Sequence, residues 1–383
     1  MKETRYYFGY GSNLNPDDWN LRNPDGPGFA DVLEYVGAAW LPDAEVAFTA
    51  KSQGRRGGVL DVRDRIGSLV PGAIFRVHGE QGWRALDRKE GAPAFYQRVD
   101  RVALGMDGRE IPVTTYTVTP DRRHRFVKPH EDYVRAVIAG LRDRGLPDEH
   151  VLAAAENRGG GSGPGCVFVY GTLMRGEALH ETIEECHPES ILLAETRGRL
   201  VDLGGIPALL RGPEHDGRVR GELVVCRDFE ALLRRLDRVE GFRGFGSPDN
   251  MYRRIVTGVG MMDGHERQAW TYVYARPAEG ATPIPSGDWR EHRGTRRQAL
   301  EAIVRARCGR GERRVAKALV DQFLVRPRDA RAAMAKLLPL ADALERGDIS
   351  ERELVMAVEG PMRSGCSPIR PRTIRTATRK AKR

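Results

Sequence analysis

The chain has 383 residues, of which 40% are hydrophobic, 7% aromatic and 30% charged, and its mean hydropathy is −0.49. That composition suits a globular protein of two or three domains, and no run approaches the ~18 consecutive apolar residues that a membrane-spanning helix needs. The 62 basic side chains exceed the 53 acidic ones to give +9, but 24 basic against 11 acidic fall from Arg290 onward, so the first 289 residues carry −4.

Met1–Tyr10 lacks the basic-then-apolar order of a signal peptide. The five cysteines (Cys166, Cys186, Cys226, Cys308, Cys366) lie 20, 40, 82 and 58 positions apart, which matches neither a zinc site nor a disulfide framework. An odd count fits a reducing, cytoplasmic location.

Taken in chain order, Tyr6–Tyr10 is a short apolar run ended by glycine and reads as a buried strand. Val70–Val77, Val99–Leu104 and Val113–Val118 are further strands, with a short helix between the first two that has Trp83 and Leu86 on one face and Gly91 as its stop. Asn157–Gly165 (NRGGGSGPG) is a flexible linker by composition, and the first domain is placed at 1–158 and the linker at 159–165. Val167–Tyr170, Gly221–Cys226 and Ala269–Tyr274 are strands of a second domain at 166–290. Phe229, Leu232, Leu233 and Leu236 recur at helical spacing, predicting a helix from about Asp228 toward Glu240 with Gly241 as its stop. Beyond Arg290 the pattern turns helical, giving a small basic helical unit over 291–360. Pro361–Arg383, with eight basic residues and no acid, reads as disordered. This tail is expected at most to attract a polyanion or nucleic acid weakly; the plainer reading is a solvated tail.

The same features occur twice, in the same order. Phe8-Gly9-Tyr10-Gly11-Ser12-Asn13-Leu14 is mirrored by Phe168-Val169-Tyr170-Gly171-Thr172-Leu173. Val70–Phe75 is mirrored by Val219–Val224, and Leu86-Asp87-Arg88-Lys89-Glu90-Gly91 by Leu236-Asp237-Arg238-Val239-Glu240-Gly241. A tyrosine then precedes a strand (Tyr96, Tyr252), and a Thr-Tyr pair lies in a later one (Thr115-Tyr116, Thr271-Tyr272). The tyrosine-to-glutamate separation is 80 residues in one copy and 70 in the other. Five ordered features kept twice indicate two homologous domains. Many short strands with few helices argue for an α+β fold, a small closed or nearly closed barrel in each copy, since a doubly wound parallel sheet would need longer helical crossovers.

Two repeated elements are unnecessary for packing: a Tyr-Gly-[Ser/Thr] turn after a strand and a glutamate at a helix end. The turn exposes backbone N–H groups suited to a carboxylate or a developing oxyanion. The helix dipole and an apolar setting would both raise the glutamate's pKa, making a general base near neutral pH. Either feature alone also fits a common turn and a solvated surface glutamate; their joint recurrence marks a pocket.

On these residues the first copy resembles the γ-glutamylcyclotransferase family, through Tyr10-Gly11-Ser12-Asn13-Leu14, Leu86-Asp87, Glu90-Gly91 and Tyr96. The second is similar to the γ-glutamylamine-cyclotransferase-like branch, through Val169–Gly176, Leu236-Asp237, Glu240-Gly241, Tyr252 and the late Ser286-Gly287-Asp288-Trp289. The resemblance covers roughly 5–290. It implies a six- or seven-stranded mixed barrel with flanking helices in each copy, no metal or organic cofactor, and release of 5-oxoproline from a small γ-glutamyl substrate. It further implies that Glu90 and Glu240 are the catalytic proton acceptors. Backbone amides of Gly11–Leu14, or of Gly171, Thr172 and Leu173, would hold the α-carboxylate or carbonyl oxygen. Tyr10 and Tyr170 would belong to the substrate-binding turns, and Tyr96 and Tyr116, or Tyr252 and Tyr272, would hydrogen-bond the glutamate or close the pocket, although each of these four could equally be a buried barrel residue.

Other chemistries fit less well. His180 and His187 lack the H-E-x-x-H arrangement, Cys186 and His187 are mere chain neighbours, and Ser12 has no histidine partner. The competing reading is a non-catalytic tandem barrel that binds a small acidic metabolite or serves as a scaffold, with the basic C-terminus recruiting a partner. A third has the same chemistry unmasking a γ-glutamyl-protected amine.

Overall fold

The structure, a computed structural model, describes residues 6–294. The helical unit expected over 291–360 lies outside the described residues from 295 on, as does the whole basic tail. Both barrels belong to one compact unit ending at Arg290.

The first barrel is built from β1 (Tyr6–Gly9), α1 (Pro16–Leu21), α2 (Phe29–Val32), β2 (Leu33–Ser52), β3 (Gly57–Val77), α3 (Gly79–Glu90), β4 (Tyr96–Gly105), β5 (Glu110–Val118), α4 (Glu131–Arg142) and α5 (Glu149–Ala155). The strands close in the order β1-β3-β2-β4-β5, with a parallel contact of Tyr7 on β1 with Thr114 on β5 completing the ring. Tyr7, Phe8 and Gly9 of β1 are buried in succession and Tyr6 is half-buried, so Tyr-Tyr-Phe-Gly shows no polar alternation.

The second barrel repeats the plan with β6 (Cys166–Val169), α6 (Glu181–Glu184), β7 (Ser190–Arg197), β8 (Arg199–Asp202), β9 (Pro207–Leu210), β10 (Arg218–Val225), α7 (Phe229–Val239), β11 (Tyr252–Met261), β12 (Glu266–Tyr274) and β13 (Thr282–Pro283). Its ring runs β10-β6-β12-β11-β7, so each strand has a counterpart in the first ring. Where the first copy has the 20- and 21-residue strands β2 and β3, the second breaks the same path into β7, β8, β9 and β10, and β8 and β9 join β13 in a separate three-stranded sheet. The α+β class and the two mixed barrels therefore hold, but each ring has five strands, not the six or seven that the resemblance implied. Among the described residues no helix is long and apolar enough to cross a membrane.

The glycine-rich segment is no free tether. Val46 N–H donates to the Gly160 carbonyl at 3.0 Å and Ser162 N–H to the Leu69 carbonyl at 3.1 Å, laying the segment along the first barrel. A Cβ on Gly160 would stand 2.0 Å from the Val46 carbonyl oxygen. Glycine is required there for close approach, so a composition that suggested flexibility reports contact instead.

The two barrels share a packed seam. Leu69 and Leu104 of the first barrel are buried in the second barrel's core, with Trp40 and Ile66 packed against it. Asp43, on β2, and Gly67, on β3, are the polar part of this seam.

Candidate functional site

Each glutamate is set by the end of its helix. In α3, Trp83 and Leu86 are buried, Gly91 adopts φ +64°, and Ala92 N–H returns to the Asp87 carbonyl at 2.9 Å. The second copy repeats this with Gly241 at φ +62° and Phe242 N–H on the Asp237 carbonyl at 2.8 Å. This is the left-handed glycine stop whose bonds cap the last carbonyls, and it fixes Glu90 and Glu240 at the same point of the two barrels.

The aspartate repeated one turn earlier is explained by a three-residue lock. Asp87 accepts from Tyr116 Oη at 2.8 Å and from Arg98 Nε and Nη2 at 2.8 and 2.7 Å. Asp237 accepts from Tyr272 Oη at 2.7 Å and from Arg254 Nη1 at 3.0 Å. In each barrel the arginine and tyrosine face each other across neighbouring strands, Arg98 opposite Tyr116 and Arg254 opposite Tyr272. Both arginines lie outside the expected site residues, although each stands two residues after the repeated tyrosine.

The other tyrosines hold the barrels together. Tyr10 and Tyr170 donate to the carbonyls of Tyr116 and Tyr272 at 2.6 and 2.8 Å, while Tyr96 and Tyr252 donate to those of Leu60 and Pro207 at 2.5 and 2.8 Å. None of these hydroxyls bonds the glutamate, contrary to one expected role. Tyr96 and Tyr116 do line the cavities described below.

In the first barrel Ser12–Leu14 form a single 3-10 turn. Leu14 N–H bonds the Gly11 carbonyl at 3.0 Å, so Leu14 is a buried anchor and no amide donor, which leaves Gly11, Ser12 and Asn13 as the turn's candidates. Asn13 acts through its side chain: Nδ2 donates to Glu90 Oε1 at 2.6 Å and to Tyr7 Oη at 3.0 Å. Ser12 Oγ accepts from Arg55 at 2.9 Å, and Arg55 forms a two-point pair with Asp18 at 2.6 and 2.5 Å while lying 4.9 Å over the Tyr133 ring. Lys89 lies 4.8 Å over Trp19.

These groups surround a cavity of about 350 Å³ with Glu90, Asn13 and Tyr96 on its wall and Arg55, Arg88 and Lys89 among its polar lining. A smaller void of about 30 Å³ continues it past Gly11 toward Tyr7 and Tyr116. Burial pushes the Glu90 carboxyl above its ordinary pKa, opposed by Lys89, the Asn13 hydrogen bond and Arg55. Burial likewise lowers the Lys89 pKa. Asp18 is held low by Arg55 although burial acts the other way.

The second site keeps the carboxylate and changes its company. Val167 stands where the first copy has Tyr7, Leu173 where it has Asn13, and Val239 where it has Lys89. Gly171 is covered by Pro207: a Cβ there would lie 2.2 Å from the proline Cγ, whereas one on Gly11 would meet only the Tyr133 hydroxyl, at 3.6 Å. The Thr172 carbonyl is occupied by Leu179 N–H at 2.8 Å, and the Leu173 side chain is buried. Burial, reinforced by Asp237, raises Glu240 to about 8.

Arg55, Tyr133 and Tyr7 had been missed. Tyr7 was read only as strand core. Arg55 sits between two strands that the second copy does not have at that length. Tyr133 lies on α4, whose buried Tyr133, Val137, Gly140 and Leu141 at helical spacing were a usable signal.

Against known proteins, the family "Gamma-glutamyl cyclotransferase, AIG2-like" matches residues 7–135 and 167–291. The chain is 27% identical over 154 residues to a γ-glutamylcyclotransferase of Bos taurus, covering 39% of this chain and 76% of that protein. It is 34% identical over 131 residues to the γ-L-glutamyl-butirosin B γ-glutamyl cyclotransferase of Niallia circulans, covering 33% and 76%. A solved structure named γ-glutamyl cyclotransferase is 25% identical, with a TM-score of 0.34, covering 40% of this chain and 86% of that one. One matched segment falls on each barrel, and the chain belongs to the γ-glutamyl cyclotransferase, AIG2-like family.

Proposed function

We propose that the first barrel is a γ-glutamylcyclotransferase, releasing 5-oxoproline and a free amine from a small γ-glutamyl compound. The observation that carries this reading is the position of Glu90: a partly buried carboxylate of raised pKa, oriented by Asn13 from the glycine turn and facing an open cavity.

The steps balance without an added reactant. Glu90 takes a proton from the substrate's α-ammonium, and the freed amine attacks the substrate's own γ-carbonyl carbon. The tetrahedral oxyanion is met by turn amides of Gly11–Asn13. The C–N bond to the leaving amine breaks as the proton on Glu90 passes to that nitrogen; the regenerated carboxylate takes the second proton from the ring nitrogen, leaving the neutral lactam, and hands it to the amine, which departs as an ammonium. Because nucleophile and electrophile sit on one molecule, the protein's main task is to hold the substrate curled into a near-attack pose. Arg55, Arg88 and Lys89 favour an acidic substrate: they suit the α-carboxylate and any carboxylate carried by the departing amine. Arg55 is already matched by Asp18, so Lys89 and Arg88 contribute more of the net attraction.

A second reading applies to the second barrel. Pro207 over Gly171 and the loss of the Asn13 and Lys89 equivalents favour either slow turnover of less acidic γ-glutamyl compounds at alkaline pH or ligand binding without chemistry.

The test is 5-oxoproline release from γ-glutamyl amino acids, glutathione and γ-glutamyl-lysine by the parent, Glu90→Gln, Glu240→Gln and the double variant. Glu90→Gln is expected to lower kcat by about 10²–10⁴, the usual weight of a general base, and Glu240→Gln to change it little at pH 7. A double variant as active as the parent would overturn the assignment of both carboxylates.

A further inference from the structure

The two locks differ in one respect that crosses the seam. In the first barrel Arg98 gives Nε and Nη2 to Asp87, and its side chain keeps 34% of its surface exposed. In the second, Arg254 is fully buried, between the rings of Phe242, Phe245 and Trp270 at 4.9 to 5.2 Å. Its guanidinium is divided: Nη1 reaches Asp237, while Nη2 makes a short ion pair with Asp43 of the first barrel. A dry arginine gains from aromatic faces but still needs its charge and N–H groups met. One of its two carboxylates comes from the other domain.

The first barrel is shaped to provide it. Asp43 sits at a bulge of β2, between Pro42 and Ala44, with φ +52°. A bulge re-aims a side chain, and a left-handed backbone at a non-glycine residue is retained where surroundings hold it. Here Asp43 Oδ1 accepts Gly67 N–H at 2.8 Å, and the Gly67 carbonyl accepts Trp270 Nε1 at 3.0 Å. Gly67 itself lies so close to α7 that a Cβ would stand 2.8 Å from Leu233. The same helix ends in Glu240.

We propose that Asp43 of the first barrel is a positioning residue for Glu240, acting through Arg254 and Asp237 to hold the end of α7, so that the second site is completed by the first domain. This rests on the reading of Glu240 as the second barrel's working carboxylate. The first site has no reciprocal dependence, because its lock is closed by its own Arg98.

The test uses the full chain. Asp43→Asn keeps the left-handed backbone and an acceptor for Gly67, and turns an amide N–H group toward the guanidinium; Asp43→Glu retains the charge. Amide hydrogen exchange over 236–242 is expected to quicken at least tenfold in Asp43→Asn and less in Asp43→Glu, while 86–92 stays at the parent rate. In a Glu90→Gln background, kcat for residual 5-oxoproline release should fall at least fivefold with KM within twofold, and Asp43→Glu should recover most of it. Parent-like exchange over 236–242, an equal quickening in both barrels, or an unchanged kcat would overturn the proposal. If the Glu90→Gln chain releases no 5-oxoproline, the catalytic reading of the second barrel falls, and the exchange measurement alone decides whether Asp43 positions the helix end.

Discussion

The first barrel surrounds its glutamate with Tyr7, Asn13, Lys89 and Arg55, whereas the matching positions of the second hold Val167, Leu173 and Val239. Helix stop, aspartate lock and ring are shared, and both carboxyls are raised by burial first. What separates them is the second contribution: Lys89, Asn13 and Arg55 pull Glu90 back toward ionisation, while Asp237 pushes Glu240 further away from it. A duplicated backbone thus holds two carboxyls of different proton affinity, with the first copy's Tyr7, Asn13 and Lys89 replaced by apolar residues at the matching positions of the second.

Exchanging those side chains should exchange the behaviour, and the largest effect is expected at Asn13. Asn13→Leu removes the bond that orients and stabilises ionised Glu90. The acidic limb of its kcat/KM profile should move to higher pH and the rate at pH 7 should fall by about tenfold or more, in keeping with the loss of a hydrogen bond to a charged group. The converse Leu173→Asn in a Glu90→Gln chain should move the second site's limb downward from about 8. Profiles that stay in place would show that the turn side chain does not set the contrast. Next comes Lys89→Val, which copies Val239. KM for a γ-glutamyl compound with an acidic leaving amine should rise severalfold, with a smaller change for one with a neutral leaving amine, and equal changes would remove Lys89 from substrate selection.

The smallest effect concerns stability. Glu240 titrates near 8 in the fold and near 4.5 when unfolded, so between those values the folded chain holds the extra proton and its stability declines as pH rises. Glu240→Gln should therefore raise Tm relative to the parent by a few degrees at pH 9, with little difference at pH 5. An equal difference at both pH values would contradict the buried titration.

Much of this arrangement was legible in the residues. The repeated order from Tyr10 to Tyr116 and from Tyr170 to Tyr272 gave the two barrels, and Gly91 and Gly241 located both glutamates, because glycine stops and apolar helix faces are local signals. The Asp87–Tyr116–Arg98 lock was only half visible: the aspartate and tyrosine stood out as repeats, but their partnership depends on strands meeting across the ring. Arg55 was hidden because a repeat highlights what both copies keep, and it lies between the long strands β2 and β3 that the second copy breaks up; Tyr133 lies beyond the last repeated feature, on a helix whose apolar spacing was the only cue. Residues 159–165 misled for a different reason, since glycine permits both looseness and close approach, and only the neighbouring Val46 carbonyl shows which applies.

The seam also bears on how this gene could be trimmed. Cutting at the glycine ribbon to obtain residues 166–290 alone would strip Leu69 and Leu104 from the core they help fill and take the second acid from Arg254. The fragment should emerge sticky and ill-folded, while the first barrel, whose own aspartate lock is self-sufficient, is the half suited to separate production when the cut falls after Ser162, which pairs with Leu69.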